Sequence, residues 1–163
     1  VMGESAGGNL AAAMPLVSLD SCGPDISAQV IICGALTFEE TIYPSRKYFL
    51  SDDRSYLISE GYLHSCKSQY LQDAVEAVHP YVSPLSADMN SEMPPAMVIT
   101  AQCDPLRDEG REYAAKLQEA GINVMYREYE GMIHAFMNFY PFLEKARIAI
   151  NDVDAFIDTL AYN

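Results

Sequence analysis

Three short apolar runs, separated by longer stretches with helical periodicity, constrain this chain more than any other feature. They are QVIICGA at Gln29–Ala35, AMVITA at Ala96–Ala101 and NVMYREY at Asn123–Tyr129. A brief, nearly continuous apolar run bounded by turn residues suits a strand buried on both faces. The third run alternates Val124, Tyr126 and Glu128 with Met125, Arg127 and Tyr129, which places it nearer a sheet edge. Ahead of the first run, Ala6–Leu19 is rich in alanine and leucine and predicts a helix. Pro15 within it cannot donate to the Ala11 carbonyl, so a kink or an end is expected there. Asp20–Asp25, containing Gly23-Pro24, predicts a turn. Leu106–Ala120 predicts a second helix, with Asp108 and Glu109 at its positive end and an inner stripe of Tyr113, Ala114 and Leu117. Gly121 follows as a suitable residue to end it. Pro141–Ala161 predicts a third, its stripe being Phe142, Leu143, Ala146, Ile150, Val153, Phe156, Ile157 and Leu160. The stretch from Leu36 to Val82 is less regular, with an amphipathic helix compatible with Tyr56–Leu71. Strands alternating with helices imply an α/β fold: a parallel sheet with flanking helices and right-handed crossovers.

Half of the 163 residues are hydrophobic, enough to fill one core. No apolar run reaches the roughly 18 residues of a membrane-spanning helix. The net charge of −13 argues against nucleic acid and anionic membranes as partners. Cys22, Cys33, Cys66 and Cys103 are far apart and show no zinc spacing. Cys33 and Cys103 read as small buried hydrophobes, and all four are expected to be free thiols in a reducing, cytoplasmic compartment.

The chain opens VMGESAGGNL, and Gly3, Ser5 and Gly7 satisfy G-x-S-x-G. In that pattern a serine sits on a sharp strand-to-helix turn, and side chains at either flanking glycine would collide with a neighbouring element. The helix after Ser5 would aim free N–H groups at the site, that of Ala6 among them, as an oxyanion donor. A nucleophilic serine needs a base, and the base an orienting acid, in the chain order serine, acid, histidine. Asp104 follows AMVITAQC and His134 lies in EGMIHAF, each just beyond a strand end. Taken singly, Asp104 reads as a helix cap and His134 as a structural histidine. Asp108 reads as a first-turn helix charge and His79, before Pro80, as a loop residue; His64 is the remaining histidine. Ser5, Asp104 and His134 together, in the required order and in matching contexts, point to a catalytic triad.

With those residues in view, the sequence resembles the C-terminal half of the hormone-sensitive-lipase-like esterases, an α/β-hydrolase family. The stretches that carry the resemblance are GESAGGNLAAA, YVSPL, PPAMVITAQCDPLRDEGREYAAKLQEAG and EGMIHAF, running from Gly3 to Phe136. The resemblance implies Ser5 as nucleophile, Asp104 as triad acid and His134 as base, with Glu4 at the acidic position before the serine. It implies that residues 36–82, and Tyr43–Leu71 within them, supply part of a cap and substrate pocket. Tyr48, Phe49, Tyr56 and Tyr62 are candidates to line that pocket, core packing being the competing role for each. No metal or cofactor is implied, and the substrate is expected to be a small acyl ester. The family also places a glycine-rich HGG oxyanion loop upstream of the serine, where this chain has only Val1 and Met2. The expectation is therefore an incomplete α/β-hydrolase in which residues 1–163 form the C-terminal part of one domain. N-terminal strands would be missing, three complete strands would remain, and the two residues before Gly3 could not form the elbow strand. The piece would have little activity alone, and the full-length protein could assemble as a homo-oligomer. Rival readings are an amide or deacetylating hydrolase with the same triad, and a non-catalytic ligand-binding receptor on the same fold.

Overall fold

A computed structural model describes residues 1–40, 43–51 and 55–161; residues 41–42 and 52–54 of the expected cap segment lie outside the described residues. Four parallel strands form one sheet in the order β1 (Met2–Glu4), β2 (Gln29–Ile32), β3 (Ala96–Cys103) and β4 (Val124–Ile133). Helix α1 (Ala6–Ser21) joins β1 to β2, and α4 (Arg107–Glu119) joins β3 to β4. Between β2 and β3 run α2 (Pro44–Phe49), α3 (Glu60–Tyr70) and short 3-10 turns at Ala74–Val78 and Pro84–Ser86. Helix α5 (Glu144–Ala161) closes the chain.

The period-two logic of buried strands accounts for the layers. Ile31, Ala96 and Val98 point to one face, where Ala11, Ala12 and Leu16 of α1 and Tyr113, Ala114 and Leu117 of α4 pack on them. Val30, Ile32, Met97, Ile99 and Ala101 point to the other, against Ala146, Ala149, Val153 and Phe156 of α5. The result is helices on both sides of a parallel sheet, as the alternation of runs predicts.

Five details differ from the sequence expectation. The elbow strand is present: Met2, Gly3 and Glu4 pair with Val30, Ile31 and Ile32. Three residues suffice because β2 supplies a ladder, extended by Val30 N–H donating to Val1 O and Ser5 N–H to Ile32 O at 2.9 Å each. Helix α1 does not end at Pro15 but runs on to Ser21. A mid-helix proline costs about 3 kcal/mol, and the burial of Ala11, Ala12 and Leu16 against the sheet offsets it by holding the helix in register. It stops at Cys22 (φ 50), where Gly23 N–H reaches back to Ser18 O at 2.8 Å. Helix α3 begins at Glu60 behind a Ser59 cap and buries none of its residues; its apolar side faces a cavity rather than a core. In the α5 stripe, Phe142 precedes the helix and is 84 % exposed, and Ile157 is 46 % exposed, one step round from buried Phe156.

Strand β4 also runs past its expected end. Ala101 pairs with Tyr129 but Cys103 pairs with Ile133, so β4 carries extra residues there. Gly131, at φ +71, absorbs the irregularity, and its N–H donates to Gln102 Oε1 at 2.9 Å. Such a bulge redirects a strand end, and the residue after this one is His134.

Candidate active site

Ser5 is both the last residue before α1 and the first beyond β1. Its backbone, at φ 56 and ψ −118, lies in a region that side chains adopt only when neighbours enforce it. The enforcement is visible: Ser5 N–H donates to Ile32 O, and Ser5 O accepts from Asn9 and Ala35 N–H at 3.1 and 3.2 Å. The crossing of β1 and α1 is tight at Gly3, where a Cβ would lie 2.0 Å from Gly7 O. Gly7 differs from expectation, since a Cβ there would meet nothing within 4 Å. The close approach falls one residue later, at Gly8, whose Cβ would come 2.9 Å from Gly34 Cα. Ala6 opens α1, so its N–H has no carbonyl one turn earlier to bond.

Asp104 follows β3 and is fully buried. Its Oδ1 accepts the Leu106 N–H at 2.9 Å, and its Oδ2 lies 2.8 Å from His134 Nδ1. The cap and triad-acid readings of this residue are thus compatible, one oxygen serving each. His134 Nε2 lies 2.9 Å from Ser5 Oγ. A carboxylate only accepts, which assigns the proton to Nδ1 and leaves Nε2 free to accept from the serine hydroxyl. Residues 129 positions apart in sequence, Ser5 and His134, meet here with Asp104 in one hydrogen-bonded line.

Asn138 fixes the turn after His134. Its side-chain amide donates to Glu4 Oε2 at 2.6 Å and to Ala135 O at 3.2 Å, tying the elbow to the histidine loop. Asn9, one turn into α1, donates to Ala35 O and Val82 O at 2.7 and 2.8 Å, drawing two loops to the floor of the site. Neither asparagine is marked by the sequence patterns.

A cavity of about 990 Å³ opens beside Ser5. Leu10, Phe38, Leu50, Ile58, Leu63 and Tyr70 give it largely apolar walls. Of the four aromatic candidates, Tyr62 lines this cavity, whereas Tyr48, Phe49 and Tyr56 line a separate one with Cys103 and Arg107. Phe49 is buried, as a core residue would be, but Tyr48, Tyr56 and Tyr62 are more than half exposed. His64 lies on α3 at the Ser5 cavity, and His79 accepts the Tyr81 N–H at 3.1 Å in a loop.

The wall built by α2 is anchored by acids of α4. Tyr43 O–H donates to Glu112 at 2.9 Å, Ser45 N–H to Asp108 at 2.8 Å, and Arg46 to Glu109 at 2.6 Å. Burial pushes Glu109 up to about 8, against the pull of Arg46 and of the Leu36 N–H. For Asp108 burial also acts upward, but the bonds from Arg107 and Ser45 outweigh it and hold the carboxyl below its usual range. Asp108, read as a dipole charge, therefore also tethers α2.

Cys33, Asp104 and His134 bring a thiol, a carboxylate and an imidazole nitrogen within 4.8 Å of one another, all buried. By donor type the set could take a soft divalent ion, but Asp104 Oδ2 and His134 Nδ1 already hold each other at 2.8 Å.

A family described as having the α/β-hydrolase fold matches residues 1–138. This chain belongs to that family, within its hormone-sensitive-lipase-like esterases. An arylesterase of Saccharolobus solfataricus is 35 % identical over 139 residues, covering 83 % of this chain and 43 % of that protein. A carboxylic ester hydrolase of Mycobacterium tuberculosis, LipN, is 34 % identical over 148 residues, covering 86 % and 38 %. Among solved structures, an esterase of Pyrobaculum calidifontis superposes with a TM-score of 0.92 at 37 % identity, covering 99 % of this chain and 52 % of that one. The chain thus spans about half the length of these relatives.

Proposed function

We propose that this hydrolase-family chain carries the catalytic triad of a carboxylic-ester hydrolase, with Ser5 as nucleophile, His134 as base and Asp104 as orienting acid. The observation that carries the reading is the unbroken relay from Asp104 Oδ2 to His134 (2.8 Å) and from His134 Nε2 to Ser5 Oγ (2.9 Å). The relatives' names, arylesterase and carboxylic ester hydrolase, favour esters.

In the proposed reaction Ser5 Oγ attacks the ester carbonyl as its proton passes to His134 Nε2. Asp104 stabilises the imidazolium without taking the proton. The carbonyl oxygen gains negative charge, which the free N–H of Ala6 at the head of α1 stabilises. The imidazolium then gives its proton to the departing alkoxide, leaving an acyl group on Ser5. Water, activated by the same histidine, attacks the acyl-enzyme and releases the acid. Leu10, Phe38, Leu50 and Leu63 beside Ser5 suit an apolar acyl or alcohol group, held mainly by burial of its surface.

The test is hydrolysis of p-nitrophenyl acetate and butyrate by the complete gene product that carries this sequence. Ser5→Ala is expected to lower kcat by at least about 10³-fold. Equal rates for the two proteins would refute the proposal, and tight ligand binding without turnover would favour the receptor reading.

A further inference from the structure

Asp104 brings a carboxylate to a place with no solvent contact. One oxygen takes the Leu106 N–H and the other faces His134. A carboxylate has about four acceptor sites, and a buried one short of donors is costly. Cys33, at the end of β2, stands beside it. The residue is 1 % exposed, and its Sγ lies within 4.8 Å of both an Asp104 oxygen and a His134 ring nitrogen. Around the sulfur, the Asp104 carboxylate acts to hold the thiol protonated and the Ala135 backbone N–H acts the other way.

The backbone is bent on both sides of this contact. Cys33 has φ 46 and Ala135 has φ 55, conformations that cost residues with a Cβ about 1 kcal/mol or more. Cys33 N–H is held by Ile99 O at 2.8 Å. One left-handed residue from the loop after β2 and one from the loop after β4 thus meet at the sulfur. Burial, then the negative charges of Asp104 and Glu4, hold the thiol well above its ordinary range despite the opposing pull of the Ala135 N–H. It stays S–H, a donor, and is a poor nucleophile.

We infer that Cys33 is a positioning residue, whose thiol ties the Asp104 carboxylate to the loop of His134 and so fixes the acid–base pair. This rests on the proposed triad, through which Cys33 would act. Alanine and serine separate the donor from the bulk of the sulfur, because both remove that bulk and only serine keeps an O–H. In the complete gene product, Cys33→Ala is expected to lower kcat about tenfold relative to Cys33→Ser, with KM within about twofold. An arm independent of turnover is the low-field proton resonance of His134 Nδ1–H, which reports the Asp104 contact directly. It is expected to move in Cys33→Ala and to hold its place in Cys33→Ser. Both variants should lose similar thermal stability from the smaller side chain. If the two agree in kcat and in the resonance, the positioning role is refuted and the thiol only fills space. An inactive wild type would count against the triad proposal instead, and the resonance would still decide the role of Cys33.

Discussion

Asp104→Asn is expected to cut ester hydrolysis about 10⁴-fold while leaving the protein folded. The argument is one of proton placement. Oδ1 accepts from Leu106 N–H, and Oδ2 accepts from His134 Nδ1. An asparagine must keep its oxygen toward one of these donors. With the oxygen toward Leu106, its NH₂ faces Nδ1, which must then give up its proton and accept. The proton moves to Nε2, which points at Ser5 Oγ from 2.9 Å and can no longer take the hydroxyl proton. The opposite flip sets NH₂ against the Leu106 N–H, two donors face to face at the head of α4. The first arrangement keeps every bond and loses the chemistry. Steady-state kinetics with a p-nitrophenyl ester, beside a circular-dichroism melt, check it. Activity within tenfold of wild type would show that His134 is not oriented by Asp104.

Gly3→Ala is expected to destabilise the protein by about 3 kcal/mol or more, near the upper end of overpacking costs. The obstacle is backbone: the added carbon would lie 2.0 Å from Gly7 O and 2.3 Å from Gly7 C. No rotamer relieves that, so α1 must move off β1 and carry Ser5 out of line with His134. Gly7→Ala is the contrast. With nothing within 4 Å of the new methyl, it should be neutral or stabilising by a few tenths of a kcal/mol, because alanine suits a helix better. Denaturant titration of the two variants reads the difference. Equal stability would mean that the strand-to-helix crossing is looser than described.

The sheet was legible in the sequence because each buried strand announces itself locally. QVIICGA and AMVITA are apolar on both faces, as strands between two helix layers must be. Ser5, Asp104 and His134 were legible as candidates because parallel strands deliver their ends to one rim, so position after a strand carries spatial meaning. What could not be read depends on contacts between distant segments. The anchoring of α2 by Asp108, Glu109 and Glu112 joins residues more than 60 positions apart, and no local pattern records it. Cys33 is buried in the core as its sequence context suggests, but its closeness to Asp104 and His134 could not be read because those residues come from two other loops. An end at Pro15 did not follow because propensity weighs the helix alone, whereas α1 is held by what it packs on. Gly7 and Gly8 exchanged roles because the motif gives spacing without saying which glycine faces Gly34.

The central claim, that Ser5 is a nucleophile activated by His134, is tested most directly by covalent capture. The complete gene product, treated with a p-nitrophenyl alkylphosphonate, should release one equivalent of nitrophenol and gain one phosphonyl group. Mass mapping should find that group on the peptide containing Ser5, with none in Ser5→Ala and labelling slowed by orders of magnitude in Asp104→Asn. A phosphonyl group on any other residue, or labelling of Ser5→Ala at the wild-type rate, would contradict the claim.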